Sequence, residues 1–101
     1  MPYEIYETET FVKLYEVMEK DEQEWIAKIK LQLQENPNIG KPLRFAWFRE
    51  KKFGDKRLYY LIYNNIKRVL LVSFGTKKEQ QKIIYHTIEN KDRYKNIIES
   101  L

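Results

Sequence analysis

Arg57-Leu58-Tyr59-Tyr60-Leu61-Ile62-Tyr63-Asn64-Asn65-Ile66-Lys67-Arg68-Val69-Leu70-Leu71-Val72-Ser73-Phe74 holds two runs of β-formers around a polar break. Asn64-Asn65 tolerates positive φ, so residues 57–74 are predicted to form a tight antiparallel hairpin. Both runs are apolar at odd and even positions, so both faces of the sheet must be at least partly covered. Arg57 shares a face with Tyr59, Leu61 and Tyr63 and points toward any cleft on that side. Upstream, Leu43, Phe45 and Trp47 alternate with Arg44, Ala46 and Phe48, the period of a further strand, and Phe53-Gly54-Asp55 makes the turn between strands.

Outward from this sheet the period changes. Tyr3-Glu4-Ile5-Tyr6 reads as a short first strand. Phe11, Leu14, Tyr15 and Met18, then Trp25, Ile26, Ile29 and Leu33, recur at helical spacing. They predict a helical hairpin over about 9–20 and 22–35, with Asp21 and Glu24 at capping-box spacing. Asn36-Pro37 through Gly40-Lys41-Pro42 ends the second helix, since proline cannot continue the ladder and glycine allows a left-handed turn. Beyond the hairpin, Gly75-Thr76 ends the sheet. Thr76 and Glu79 are spaced to cap a helix carrying Ile83, Ile84 and Ile88, and Tyr94, Ile97, Ile98 and Leu101 predict a last short helix. The expected architecture is α+β, a single domain over 1–101 in the order β-α-α-β-β-β-α, with a twisted antiparallel sheet on the N-terminal helical hairpin and C-terminal helix.

A chain of 101 residues has room for one core. No cysteine is present, which excludes disulfides, thiolate metal sites and a cysteine nucleophile, and suits a cytoplasmic location. Apolar runs such as Val69–Val72 are far below the ~20 residues of a membrane span, and Met1-Pro2-Tyr3-Glu4 lacks the features of a signal peptide, so no membrane association is expected. The formal charge of +4 is unevenly spread. Residues 1–40 hold four lysines against nine acids, residues 41–82 twelve cations against three acids, and the remainder is balanced. Such a block favours a polyanion or an acidic protein, or else is a solvated lysine-rich surface.

Within the block, Arg44, Arg49, Lys51, Lys52, Lys56 and Arg57 alternate with Trp47, Phe48, Phe53, Tyr59, Tyr60 and Tyr63. Cations hold phosphates and aromatic rings stack on unpaired bases, so the composition suits single-stranded nucleic acid, although a domain this small needs most of those rings for its core. The lone His86 has no carboxylates at ligand spacing around it, and no glycine-rich phosphate loop or G-x-S-x-G turn is present; neither a metal nor a cofactor is expected. The chemistry left open is phosphoryl transfer by arginine, lysine and tyrosine, with an internal RNA 2′-hydroxyl as nucleophile.

Asn36-Pro37, Gly40-Lys41-Pro42-Leu43, Gly54-Asp55-Lys56-Arg57-Leu58-Tyr59-Tyr60, Val69-Leu70-Leu71-Val72 and Gly75 with Lys77-Lys78-Glu79 form a series that resembles the RelE/ParE superfamily of type II toxin-antitoxin toxins, in a form similar to its archaeal or thermophilic members. The resemblance implies a toxin restrained by a cognate antitoxin. In the RelE branch it implies cleavage of messenger RNA on the ribosome, with contacts to 16S-type ribosomal RNA; in the ParE branch it implies inhibition of DNA gyrase, and a RelE-like protein without nuclease activity is a further alternative. Arg57 matches the arginine that stabilises the scissile phosphate, Lys78 or Lys77 the basic residue after the last strand, and Tyr85 lies within one position of a substrate-placing tyrosine. Where the nuclease branch has two lysines two residues apart, this chain has Phe48 and Glu50, or with a small shift Arg49 and Lys51. Glu50 is thereby a candidate base for the 2′-hydroxyl proton, and Arg44, Arg49, Lys51, Lys52 and Lys56 are candidates for holding the flanking RNA.

Overall fold

The computed structural model describes residues 2–101; Met1 lies outside them. The chain runs β1 (Glu4–Glu7), α1 (Glu9–Glu16), α2 (Lys20–Glu35), β2 (Lys41–Leu43), β3 (Phe45–Phe53), β4 (Lys56–Tyr63), β5 (Arg68–Thr76), α3 (Gln80–Glu89) and α4 (Lys91–Glu99), with 3₁₀ turns at Pro37–Ile39 and Lys77–Glu79. The five strands form one sheet in the order β1-β5-β4-β3-β2. Three pairings are antiparallel as expected, but β1 runs parallel to β5, so the sheet is mixed. The short segment Glu4–Glu7 can lie beside β5 in that sense because α1 and α2 carry the chain across one face of the sheet before β2 begins.

Helices cover both faces. Phe11 of α1 and Ile26, Ile29 and Leu33 of α2 pack on Leu58, Tyr60, Ile62, Val69, Leu71 and Phe74. On the other face Ile84 of α3 and Ile98 of α4 pack on Phe48, Tyr59, Leu61, Leu70 and Val72. This division explains why β4 and β5 are apolar throughout. The alternation in β5 changes parity between Leu71 and Phe74. Tyr59 faces Ser73 while Tyr60 faces Leu71, so Val72 is the extra residue of a bulge.

Local chemistry moved several expected boundaries. α1 is capped by Thr8, whose hydroxyl accepts the Phe11 N–H and donates to the Val72 carbonyl, both at 3.0 Å, and it ends at Glu16, short of the expected residue 20. α2 is capped at Glu19, whose N–H donates to the Glu22 carboxylate at 3.0 Å, and not at Asp21. The expected strand from Leu43 is broken at Arg44, which adopts φ 62 and separates β2 from β3. In the hairpin the left-handed residue is Lys67 (φ 56) and neither asparagine. Gly40 has φ −83, so no left-handed turn occurs there. Glycine is needed for space instead, since a Cβ would stand 2.6 Å from both the Glu50 carbonyl oxygen and the Tyr60 hydroxyl.

Candidate functional site

The antiparallel register of β2, β3, β4 and β5 decides which side chains share a face. Lys41 lies opposite Glu50, Glu50 opposite Tyr59 and Tyr59 opposite Ser73; one row on, Lys52 lies opposite Arg57 and Arg57 opposite Gly75. Glu50, Lys52, Arg57 and Tyr59 therefore stand on the α3 face. Immediately after β5, Thr76 starts the turn into α3: its N–H and hydroxyl donate to the Glu79 carboxylate at 2.8 and 3.1 Å. Gly75 allows this close turn, because a Cβ there would come within 2.9 Å of the Glu79 carboxylate and 3.0 Å of Ile83. The turn sets Lys77 and Gln80 over the Glu50–Arg57 rows, and together with Lys41, Lys51, Lys52 and Ile39 these residues enclose a cavity of about 430 Å³.

At its base Arg57 and Glu50 are buried and paired, with Arg57 Nε 3.2 Å from Glu50 Oε2. The two are close but poorly aligned, and Arg57 Nε makes no hydrogen bond. Arg57 Nη1 reaches the Asp55 carbonyl at 3.4 Å, a long contact. Arg57, 6% exposed, contributes to the wall of the cavity. Gln80 donates its side-chain amide to both Glu50 oxygens at 3.1 and 2.9 Å. Beneath them the Tyr59 hydroxyl is buried without a partner. Its pKa is pushed up to about 12, chiefly by burial and further by the negative charges of Glu50 and Glu79, against the opposing charge of Arg57. One acid thus sits among five cations in a concave site, an arrangement that can accept a phosphate at the arginine edge and a proton at the carboxylate.

Only part of the predicted residue set meets there. Arg57, Glu50, Lys77, Lys51 and Lys52 line the cavity, whereas Lys78 is exposed outside it. Tyr85, 63% exposed, belongs to a neighbouring open cavity of about 520 Å³ with Arg44, Lys82 and His86. Arg49 is used inside the fold: Nε donates to the Ala46 carbonyl at 2.8 Å and Nη1 to the Gly40 and Asn38 carbonyls at 2.9 and 3.3 Å, stapling the segment before β3. Lys56 forms a 2.7 Å ion pair with the buried Glu22 of α2, away from the cavity. Phe48 is fully buried in the core. The sequence reading missed Gln80 and Lys41. Gln80 follows the Thr76–Glu79 capping signal directly, which placed it at the helix start beside the last strand; Lys41 needed the β2 register, which nothing local encodes.

No protein-family model and no curated protein matches this sequence. Solved structures do match it in fold. E. coli RelE, as a doubly substituted variant in the free state, superimposes with a TM-score of 0.76 at 19% identity, covering 89% of this chain and 98% of that one. The toxin-antitoxin complex RelBE2 from Mycobacterium tuberculosis gives 0.66 at 22% identity over 76% of this chain and 100% of that one. The archaeal RelE-RelB complex from Pyrococcus horikoshii gives 0.64 at 15% identity over 76% and 97%. The sheet order, its two helical layers and the cavity at the start of α3 are thus set on the fold of the RelE toxins.

Proposed function

We propose that the protein is the toxin of a type II toxin-antitoxin system and cleaves messenger RNA on the ribosome without a metal. The observation that carries this reading is the cavity of about 430 Å³ that gathers Lys41, Lys51, Lys52, Arg57 and Lys77 around the single carboxylate of Glu50. An ionised carboxylate has about four acceptor positions; Gln80 takes two and Arg57 faces another, which leaves room for a hydroxyl proton. Glu50 removes the proton of an RNA 2′-hydroxyl, the oxygen attacks the adjacent phosphorus, and the P–O5′ bond breaks as O5′ takes a proton from solvent. The product is a 2′,3′-cyclic phosphate. Arg57 and Lys77 offset the charge that grows on the non-bridging oxygens, and Lys41, Lys51 and Lys52 hold neighbouring phosphates. Arg44, between β2 and β3, and Tyr85 of α3 line a neighbouring open cavity and offer a cation and an exposed ring able to stack on a flanking base.

A cavity of about 430 Å³ grips little more than one nucleotide, so a framework outside the protein, the ribosome, must align the chain of RNA. The solved relatives in complex with RelB antitoxins support an antitoxin partner here. It would be acidic or amphipathic to cover the +9 segment over 41–82. The test is primer extension on messages after induction, for the parent protein and for Arg57→Ala and Glu50→Gln. Codon-spaced cuts that vanish in both variants support the nuclease. Intact messages with arrested translation would replace it by a non-cleaving binder, the reading that the internal neutralisation of Arg57 favours, and DNA damage with intact messages would redirect it to gyrase.

A further inference from the structure

We infer that Gln80 is a positioning residue, holding the Glu50 carboxylate out of line with the Arg57 Nε–H, so that base and phosphate clamp stay separate groups. The inference rests on the catalytic reading of Glu50 and Arg57 for its function, but its structural content stands apart. Arginine and carboxylate side chains at this separation favour two parallel, aligned hydrogen bonds. Here Glu50 Oε2 stands 3.2 Å from Arg57 Nε, yet no aligned bond forms and the buried Nε is left unsatisfied. An orphaned donor beside an ideal acceptor calls for something that turns the acceptor. The Gln80 amide meets both carboxylate oxygens, at 3.1 and 2.9 Å, and among the described residues no other side-chain hydrogen bond reaches them. The Thr76–Glu79 turn sets the backbone of Gln80 beside the end of β5, from where its amide meets the carboxylate. Tyr59, directly across from Glu50, has a second orphaned hydroxyl in the same buried layer. Freed from Gln80, the carboxylate has unsatisfied donors to turn to, and Arg57 loses its positive character toward RNA.

The experiment follows the Arg57 Nε–H signal by ¹H–¹⁵N NMR in the parent protein, in Gln80→Met, and in Gln80→Met combined with Glu50→Ala. A dispersed amide spectrum verifies folding, and Gln80→Leu stands in if the methionine variant fails that check. Gln80→Met is expected to slow exchange of the Arg57 Nε proton with water roughly tenfold, as an aligned charged bond forms, and the added Glu50→Ala removes that slowing. Cleavage of message on programmed ribosomes by Gln80→Met should fall roughly 10- to 100-fold in kcat/KM. An Nε proton that exchanges as in the parent, or that slows equally without Glu50, overturns the role given to Gln80. If the slowing occurs but the parent protein leaves RNA uncut, the nuclease reading fails and the positioning of Glu50 by Gln80 stands.

Discussion

Replacing Arg57 by alanine tests how far the Glu50–Arg57 pair is removed from water. Both side chains are 7% exposed and 3.2 Å apart, which puts them among buried pairs whose disruption costs roughly 3–5 kcal/mol, because the surviving charge stays desolvated. Gln80 continues to hold Glu50 after the change, so the lower end, about 3 kcal/mol, applies. For a domain of 101 residues, each kcal/mol moves the melting temperature by roughly 4–8 °C, so Arg57→Ala should melt roughly 12–24 °C below the parent protein. The double variant Glu50→Leu, Arg57→Met removes both charges at similar volume and should recover most of that loss. Thermal unfolding followed by circular dichroism at neutral pH measures both. If Arg57→Ala melts within about 3 °C of the parent, the pair is solvated in practice and the desolvation argument is wrong.

Further outcomes follow from the surrounding packing. The Tyr60 hydroxyl accepts the Gly40 N–H at 3.0 Å and donates to the Pro37 carbonyl at 2.7 Å, both buried; Tyr60→Phe should cost about 1–3 kcal/mol in urea unfolding and loosen the segment that presents Lys41. Burial alone would raise the Glu22 pKa, but the Lys56 hydrogen bond, the Glu19 N–H and the Lys56 charge outweigh it and hold the carboxyl below its usual value. Its stabilisation is therefore present above pH 4.5 and lost as pH falls through the lowered folded value, and Glu22→Gln should flatten the acid limb of a stability–pH curve. Burial raises the pKa of Tyr59 to about 12 and also raises those of Tyr60, Tyr63 and Tyr94. Stability should be full below pH 10 and fall as the pH climbs toward 12, with phenolate absorbance from these rings appearing at higher pH in the folded protein than in the unfolded chain.

What the sequence disclosed about this fold was whatever local chemistry encodes. The periods of Phe11–Met18 and Trp25–Leu33 placed two helices, the paired β-runs placed β4 and β5, and Thr76 with Glu79 marked the start of the C-terminal helical layer. The rest depended on contacts distant in sequence. Nothing in Glu4–Glu7 specifies a parallel partner 64 residues away, and the left-handed Arg44 and Lys67 carry none of the glycine or asparagine signal that such backbone usually shows. At the candidate site, Arg57 was legible as a cation on the face of Tyr59. Its pairing with Glu50 required the β3–β4 register, and Arg49, equally basic on paper, is spent on the carbonyls of Asn38, Gly40 and Ala46. Counting cations in a sequence shows a charged segment; only the register shows which of them face open space.

The most direct test of the catalytic account supplies purified protein with ribosomes programmed with a message whose cleaved nucleotide carries either a 2′-hydroxyl or a 2′-hydrogen. The account predicts cleavage of the ribose message to a 2′,3′-cyclic phosphate and no cleavage of the deoxy-substituted message. Cleavage of both messages at equal rates would contradict it, because the proton that Glu50 is placed to remove would then have no part in the reaction.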